Sequence, residues 1–137
     1  MREFSTILIA EDDADDRFLL NAAFKHNEAP EKLVFVENGV ELFDFLYSCL
    51  NNENCNLPSF ILLDLNMPKK DGREVLKEIK SIPLLRNIPV IVFSTSNSNL
   101  EIQRCYDLGA NSYIAKPNSF EQLVRTVTHL RQFLVTD

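Results

Sequence analysis

The 137-residue chain carries a net charge of −6, with 45% hydrophobic and 25% charged residues, a composition typical of one soluble globular domain with its own core. This acidic balance argues against a nucleic-acid-binding or anionic-membrane-binding surface, because both need a basic patch. No stretch approaches the ~20 apolar residues of a membrane-spanning helix, and the first residues do not resemble a signal peptide, so we expect a cytoplasmic protein with no membrane partner.

Short apolar runs and amphipathic segments alternate along the first half of the chain. The first apolar run ends abruptly in Glu11, Asp12 and Asp13, and Asp13 is a good N-cap for a helix whose apolar residues recur at spacings of three and four. The elements predicted here are a strand at 5–10, a helix from Asp13, a strand at 33–36, a helix at 40–50 and a polar loop at 51–56.

The second half of the chain repeats the alternation. Asp71 and Ser119 are expected to cap helices, residues 94–97 to cap another that reaches Leu108, and Gly109 to end that helix in the left-handed conformation. The elements predicted here are strands at 60–65, 90–93 and 112–115, with helices at 72–81, after 94–97 and after Ser119, the last with apolar residues at helical spacing as far as Leu134.

Five apolar strands that alternate with five amphipathic helices indicate right-handed βαβ crossovers. The predicted fold class is α/β, a doubly wound five-stranded parallel sheet of flavodoxin-like order 2-1-3-4-5. Cys49, Cys55 and Cys105 are an odd number without a C-x-x-C spacing, which argues against a disulfide framework or a zinc site and favours a reducing compartment. We therefore expect the cysteines to be packing residues.

Polar side chains stand at the ends of four of the predicted strands. In the order 2-1-3-4-5, strands one, three, four and five are neighbours, so these side chains should converge on one crevice at the carboxyl edge of the sheet. Three carboxylates in close proximity repel one another and normally recruit a hard divalent cation such as Mg²⁺, while a lysine and a hydroxyl suit phosphoryl oxygens. The residues are Glu11, Asp12, Asp64, Ser94 and Lys116.

Together with Met67-Pro68, Asp71-Gly72 and the proline after Lys116, this set resembles a receiver domain of two-component response regulators over essentially the whole chain. The stretch from Asp64 to Leu76 is similar, more narrowly, to single-domain receivers that partner phytochrome-type histidine kinases. The resemblance implies one receiver domain at 1–137 with no output domain. Glu11, Ser94 and Thr95 depart from the Asp, Thr and Ala that are frequent in the family.

The resemblance also implies a role for each site residue. Asp64 would accept a phosphoryl group from a phosphohistidine, Lys116 and Ser94 would contact phosphoryl oxygens, and Tyr113 would change rotamer as Ser94 moves. The implied Mg²⁺ ligands are Asp12, Asp64, the backbone carbonyl of Asn66, and Glu11 through metal-bound water. Asp13, Asp15 and Asp16 are interpreted as acids favoured by the helix macrodipole, and Lys69 and Lys70 as solvated loop charges.

The expected function is a phosphorylatable receiver, not an enzyme, whose partner is a sensor histidine kinase or a histidine phosphotransfer protein. Its output would be a protein contact, onward phosphotransfer, or a homodimer through the fourth helix, fifth strand and fifth helix. Three alternatives are a haloacid-dehalogenase-type phosphatase, a flavodoxin-like nucleotide binder and a non-phosphorylated scaffold. The first needs a second acid where this chain has Asn66, and the second needs a hydroxyl- or glycine-rich loop where it has three consecutive acids.

Overall fold

Strands and helices alternate along the chain in a computed structural model, which describes residues 5–67 and 70–134. The strands are β1 (Thr6–Ala10), β2 (Lys32–Val36), β3 (Phe60–Leu63), β4 (Val90–Ser94) and β5 (Ser112–Ala115). The helices are α1 (Ala14–His26), α2 (Gly39–Leu50), α3 (Gly72–Ser81), α4 (Asn99–Asp107) and α5 (Phe120–Leu130), followed by a 3-10 turn at Arg131–Leu134.

All five strands are parallel and lie in the order β2-β1-β3-β4-β5, so the predicted fold class is confirmed. Ile9 of β1 pairs with Leu62 of β3, and Leu62 pairs with Ile91 of β4. Because the strands run the same way, the residues that follow β1, β3, β4 and β5 emerge at the same edge of the sheet. Within the described residues, no helix combines the length and hydropathy that crossing a membrane would require.

The hydrophobic core consists of two layers, one on each face of the sheet. Alternate residues of β1 divide between them: Ile7 and Ile9 pack with α1 and α5, whereas Leu8 and Ala10 pack with α2 and α3. The four residues of β3 are all buried, as expected for a strand covered by helices on both sides. The burial of β3 explains its unbroken apolar sequence and places Asp64 directly beyond the centre of the core.

Three helix caps follow the predictions, and one differs. The side chains of Asp13, Asp71 and Ser119 accept hydrogen bonds from backbone N–H groups in the first turns of α1, α3 and α5. Helix α4 is capped by Ser98, not by the predicted residues 94–97. The cap lies further along because β4 continues through Ser94, so the chain needs several loop residues to turn back over the sheet.

Two other boundaries differ from the predictions by more than one residue, and the conformation of Gly109 agrees with its prediction. Strand β3 ends at Leu63 and α5 ends at Leu130, although apolar residues continue beyond each of these points. Leu65 and Met67 are buried as loop residues, which accounts for the overlong strand prediction. Gly109 has a φ of 110°, a conformation that favours glycine, as the sequence predicted.

The expectation that all three cysteines are packing residues is wrong for two of them. Cys49 and Cys55 form a disulfide with a Cα–Cα distance of 5.2 Å, and only Cys105 is free and buried. The polar loop turns back on itself after α2, because the N–H of Asn52 donates to the carbonyl of Cys49 and the N–H of Cys55 donates to the carbonyl of Asn52. Because two of the three cysteines form this disulfide, cysteine usage no longer supports the expectation of a reducing compartment.

Gly72, the first residue of α3, lies against the backbone that follows Asp64. A Cβ atom added to Gly72 would stand 2.6 Å from the Cα of Leu65 and 2.8 Å from the carbonyl oxygen of Asp64. The N–H of Gly72 also donates to the carbonyl of Leu65 at 3.0 Å. The start of α3 therefore supports the loop that carries Asp64, and it does so through a contact that only glycine permits.

We expect Gly72→Ala to lower the free energy of unfolding by about 1–3 kcal/mol, because the contacting atoms belong to the backbone and cannot rotate away. Urea unfolding followed by far-UV circular dichroism measures the change, which suits a chain without tryptophan. Glu74→Ala places the same residue at an exposed position of the same helical turn and should change stability by less than about 0.5 kcal/mol. Equal stability of the two variants would contradict this account of Gly72.

Candidate phosphoryl-acceptor site

Most of the predicted site residues meet at the carboxyl edge of the sheet. Glu11 and Asp12 follow β1, Asp64 follows β3 and Lys116 follows β5. They border a cavity of about 240 Å³. The lining residues are Glu11, Asp12, Asp13, Asp16, Asp64, Asn66, Thr95 and Lys116.

Lys116 joins acids from three different elements. Its Nζ donates to Oε1 of Glu11 at 2.8 Å and to Oδ2 of Asp64 at 3.4 Å. A third carboxylate, Oδ2 of Asp16 in α1, lies 3.1 Å away. The ammonium also stands 5.7 Å from the centre of the Phe93 ring, within the range of a cation–π contact. An ammonium group has three N–H bonds, so the carboxylates match its full donor capacity.

Asp64 is only 5% exposed, and both oxygens of its carboxylate have partners. Oδ1 accepts from the backbone N–H of Asn66 at 3.1 Å, and Oδ2 accepts from Lys116. The backbone N–H of Asp64 donates to the carbonyl of Ala10 at 3.0 Å, which extends the β1–β3 ladder by one residue. The carboxylate is thus held in place by the sheet on one side and by its own loop on the other.

Glu11 is the most deeply buried acid of the site, with 1% exposure. Burial raises the pKa of Glu11 to about 7; Lys116 opposes this shift, whereas the hydrogen bond and charge of Asp64 reinforce it. Burial alone would lower the pKa of Lys116, but its bonds to Glu11 and Asp16 and the charge of Asp64 outweigh burial and raise it. The lysine therefore stays charged, and it does not fully neutralise the acids around it.

The acids of the site fit a hard divalent cation. Glu11, Asp12 and Asp64 each offer a carboxylate oxygen, and these three oxygens lie within 4.8 Å of one another. Oxygen donors of this kind suit Mg²⁺, Mn²⁺ and Ca²⁺. The raised pKa of Glu11 also fits a cation site. Burial and the nearby Asp64 favour the protonated form of Glu11, and a bound cation would favour the charged form instead. The role of the Asn66 backbone carbonyl as a further ligand stays a prediction.

Ser94 and Tyr113 make side-chain hydrogen bonds with the loop that follows β4. Ser94 is buried, and its Oγ accepts from the backbone N–H of Ser96 at 3.2 Å. The hydroxyl of Tyr113 donates to the carbonyl of Ser96 at 2.8 Å. Thr95, rather than Ser94, lines the cavity. The two predicted switch residues thus bind the same loop residue, Ser94 through the N–H of Ser96 and Tyr113 through its carbonyl.

Two residues of the site escaped the sequence interpretation. Asp16, which was taken for a helix-terminus acid, pairs with Lys116; because Asp12 precedes the cap of α1, helical spacing gave no signal for this contact. Arg17 donates from Nη1 to the carbonyl of Glu11 at 3.1 Å and to that of Asp12 at 2.8 Å. Arg17 therefore fixes the backbone of the acidic loop, a contact that has no signature in the sequence.

Two lysines, Lys69 and Lys70, follow Asp64, and the structure describes Lys70 only. Lys70 forms an ion pair with Glu78, and its ammonium stands 4.7 Å from the centre of the Phe43 ring. Lys70 is therefore not simply a solvated loop charge, because it connects the loop to α3 through Glu78 and to α2 through Phe43. Pro68 and Lys69 lie outside the described residues, so the predictions made for them stay predictions.

The sequence matches the family model described as the response regulator receiver domain over residues 7–128. Among curated proteins it is 38% identical over 127 residues to the response regulator Rcp1 of Synechocystis sp., an alignment that covers 93% of this chain and 86% of Rcp1. The match spans nearly the whole of both proteins, and it favours the receiver interpretation over the phosphatase.

Solved structures show the same relationship. The Mn²⁺-bound form of Rcp1 is 37% identical with a TM-score of 0.83, covering 96% of this chain and 97% of that one. The phosphorylated cyanobacterial phytochrome response regulator RcpA is 40% identical with a TM-score of 0.86, covering 98% of both chains. Response regulator RPA3017, in red light signalling of R. palustris, is 32% identical with a TM-score of 0.87, covering 95% and 93%. The similarity to receivers related to phytochromes is thereby confirmed.

The raised pKa of Glu11 predicts an unusual pH dependence of stability. Between its ordinary value of 4.5 and about 7, the folded protein binds this proton more tightly than the unfolded chain does. Stability without a cation should therefore fall as the pH rises through this window, by about 1–3 kcal/mol. Urea unfolding in EDTA at pH 5, 6.5 and 8 measures the fall.

Glu11→Gln should remove most of the fall, because glutamine does not titrate. Asp44→Asn, at an exposed position of α2, should keep the wild-type profile. With Mg²⁺ in place of EDTA, the wild-type protein should gain more stability at pH 8 than at pH 5, since the cation competes with the proton. Identical pH profiles for Glu11→Gln and wild type would contradict the assignment.

Proposed function

The chain belongs to the response regulator receiver family, and we propose that it takes up a phosphoryl group on Asp64 in a reaction that requires Mg²⁺. The observation that carries this proposal is the position of Asp64: a buried carboxylate, with one oxygen 3.4 Å from the ammonium of Lys116, at the edge of an acidic cavity. The related RcpA has been solved in a phosphorylated form, which supports the same chemistry here.

In the proposed reaction an oxygen of Asp64 attacks the phosphorus atom of a phosphohistidine. A bond forms between this oxygen and phosphorus, the phosphorus–nitrogen bond of the donor breaks, and the imidazole keeps the electron pair. The product is an acyl phosphate. The protein contributes positioning and charge, which are its main means of assisting phosphoryl transfer: the Asn66 amide orients the carboxylate, and Lys116 neutralises charge on the phosphoryl oxygens.

Glu11, Asp12 and Asp64 would hold the cation, with Asn66 contributing its backbone carbonyl and Glu11 acting through metal-bound water. When bound, Mg²⁺ supplies positive charge that offsets the charge of the phosphoryl oxygens. Arg17 supports these ligands indirectly, because it holds the carbonyls of Glu11 and Asp12. Mn²⁺ is the ion named for the related Rcp1 structure, and the hard oxygen donors here suit Mg²⁺ equally well.

The proposed output is a change of conformation around α4. An added phosphoryl group carries about two negative charges and would draw the Ser94 hydroxyl away from the Ser96 amide, leaving Tyr113 free to change rotamer. Arg73 of α3 donates from Nε to Glu101 of α4 at 3.3 Å, so a movement of α4 would also change its contact with α3. Contacts made differently in two states are what such a switch requires.

The proposed partner is a sensor histidine kinase of the phytochrome type or a histidine phosphotransfer protein, as the named relatives Rcp1, RcpA and RPA3017 suggest. We place the protein in the cytoplasm as a single receiver domain, without nucleic-acid or membrane partners, and regard it as a phosphoacceptor rather than an enzyme. The complete set of Asp64, Ser94 and Lys116 favours a phosphorylated receiver over a scaffold that is never phosphorylated.

Asp64→Asn should abolish Mg²⁺-dependent labelling by radioactive acetyl phosphate, because an amide cannot form the acyl phosphate. Asp44→Asn, which changes an exposed aspartate outside the site, should be labelled like the wild-type protein. Addition of EDTA should stop the labelling of both Asp44→Asn and wild type. Undiminished labelling of Asp64→Asn would disprove Asp64 as the acceptor.

Activation should also promote homodimers through α4, β5 and α5, where Leu100 is 76% exposed and Tyr106 and Phe120 are exposed as well. Size-exclusion chromatography with beryllofluoride and Mg²⁺ should show a shift to the dimer for wild type. Leu100→Glu should stay monomeric, whereas Leu84→Glu, at a site 70% exposed between α3 and β4, should dimerise normally. Dimerisation of Leu100→Glu at the wild-type concentration would place the interface elsewhere.

A further inference from the structure

Asp16 occupies a place in the site that the proposed reaction does not use. It lies in the first turn of α1, its side chain is 37% exposed, and its Oδ2 is 3.1 Å from the Nζ of Lys116. It borders two cavities: the acidic one, and a neighbouring cavity of about 110 Å³ that also includes Phe93 and Phe120. The residue is thus within reach of solvent and of the lysine at the same time.

The three acids on Lys116 are not equivalent. Glu11 and Asp64 also belong to the cluster of oxygens that could hold a cation, whereas Asp16 lies outside this cluster. Among the described residues, Lys116 is also the single charged partner of the Asp16 side chain. Asp16 and Glu11 also lie closer to Nζ than Asp64 does, at 3.1 and 2.8 Å against 3.4 Å.

The donor capacity of Lys116 sets up a competition. Its three N–H bonds all face carboxylates in the resting protein, so a phosphoryl oxygen can receive a hydrogen bond only if one carboxylate gives up its own. Asp16 is the partner that can be released most readily, because its side chain is the most exposed of the three and water can replace the lost bond.

We propose that Asp16 is a positioning residue that restrains Lys116 in the resting state and so limits the rate at which Asp64 takes up a phosphoryl group. In the reaction the Nζ–H···Oδ2 bond to Asp16 is exchanged for a bond to a phosphoryl oxygen, and Asp16 turns toward water. This role rests on the proposed function, since it concerns the same site. It adds that one residue of the site slows the phosphorylation of another.

Asp16→Asn should raise the initial rate of labelling by acetyl phosphate about three- to tenfold, a change that corresponds to about 0.7–1.4 kcal/mol in the barrier. Asparagine keeps the backbone contact between the Asp16 N–H and the Asp13 side chain, so α1 should remain capped. Asp16→Glu retains the charge on a longer side chain and should restore a rate near that of wild type.

The matched control is Asp15→Asn, which removes the same charge one residue away. Asp15 is exposed in the same helical turn, and no contact of its side chain with Lys116 is found among the described residues. An equal acceleration in Asp15→Asn and Asp16→Asn would show a general effect of net charge and would overturn the proposal. An Asp16→Asn rate equal to wild type, or slower, would also overturn it.

A second measurement does not depend on phosphorylation. In the metal-free, unphosphorylated protein, ¹⁵N NMR of the Lys116 ammonium at low temperature should show faster hydrogen exchange and a shifted resonance in Asp16→Asn but not in Asp15→Asn. An unchanged ammonium signal in Asp16→Asn would overturn the restraint. If wild type is labelled and Asp16→Asn is labelled at the same rate, this inference fails alone; if wild type is not labelled at all, the proposed function fails with it.

Discussion

The contacts of Lys116 with acids from the loop after β1, from α1 and from the loop after β3 are the interaction on which the rest of the site depends. Without that ammonium, Glu11, Asp12, Asp16 and Asp64 would face one another in a partly buried cavity, with no other cation among the described residues that line it. The sheet order makes the contact possible, because β1 and β3 are neighbours and β5 lies one strand beyond β4. A residue near the end of the chain thereby controls the charge of residues near its start.

The same arrangement explains why the site is held so firmly by backbone contacts. Repulsion among the acids would push the strand ends apart, and three contacts oppose it: Arg17 on the carbonyls after β1, the Asn66 amide on Asp64, and Gly72 against the loop backbone. These contacts stabilise a cluster whose own electrostatics are unfavourable, as the raised pKa of Glu11 indicates. Active sites commonly retain such unfavourable groups for function, at a cost in stability.

Much of the fold followed from the sequence because its local signals agree. Apolar runs, helical spacing and caps such as Asp13, Asp71 and Ser119 all indicate the same elements, and the strand order followed from their alternation and brought the site residues together. What the sequence could not provide depends on three-dimensional approach. The pairing of Asp16 with Lys116 spans a hundred residues of chain, Arg17 binds backbone atoms, and the Cys49–Cys55 disulfide depends on how a polar loop turns. The cap of α4 was misplaced because Ser94 and Ser98 are equally good caps by type.

The hydrogen bonds around Ser96 have a consequence for observing the protein at work. Ser94 accepts from its amide and Tyr113 donates to its carbonyl, so the two peptide groups that flank this one residue are each held by a different side chain. The amide is protected from solvent exchange only while the Ser94 hydroxyl remains its partner, and the carbonyl is shielded only while Tyr113 stays in place. Hydrogen exchange at the Ser96 amide therefore reports on Ser94, whereas the ¹³C chemical shift of the Ser96 carbonyl reports on Tyr113. These two signals from one residue would separate a serine that moves alone from one that moves with the tyrosine.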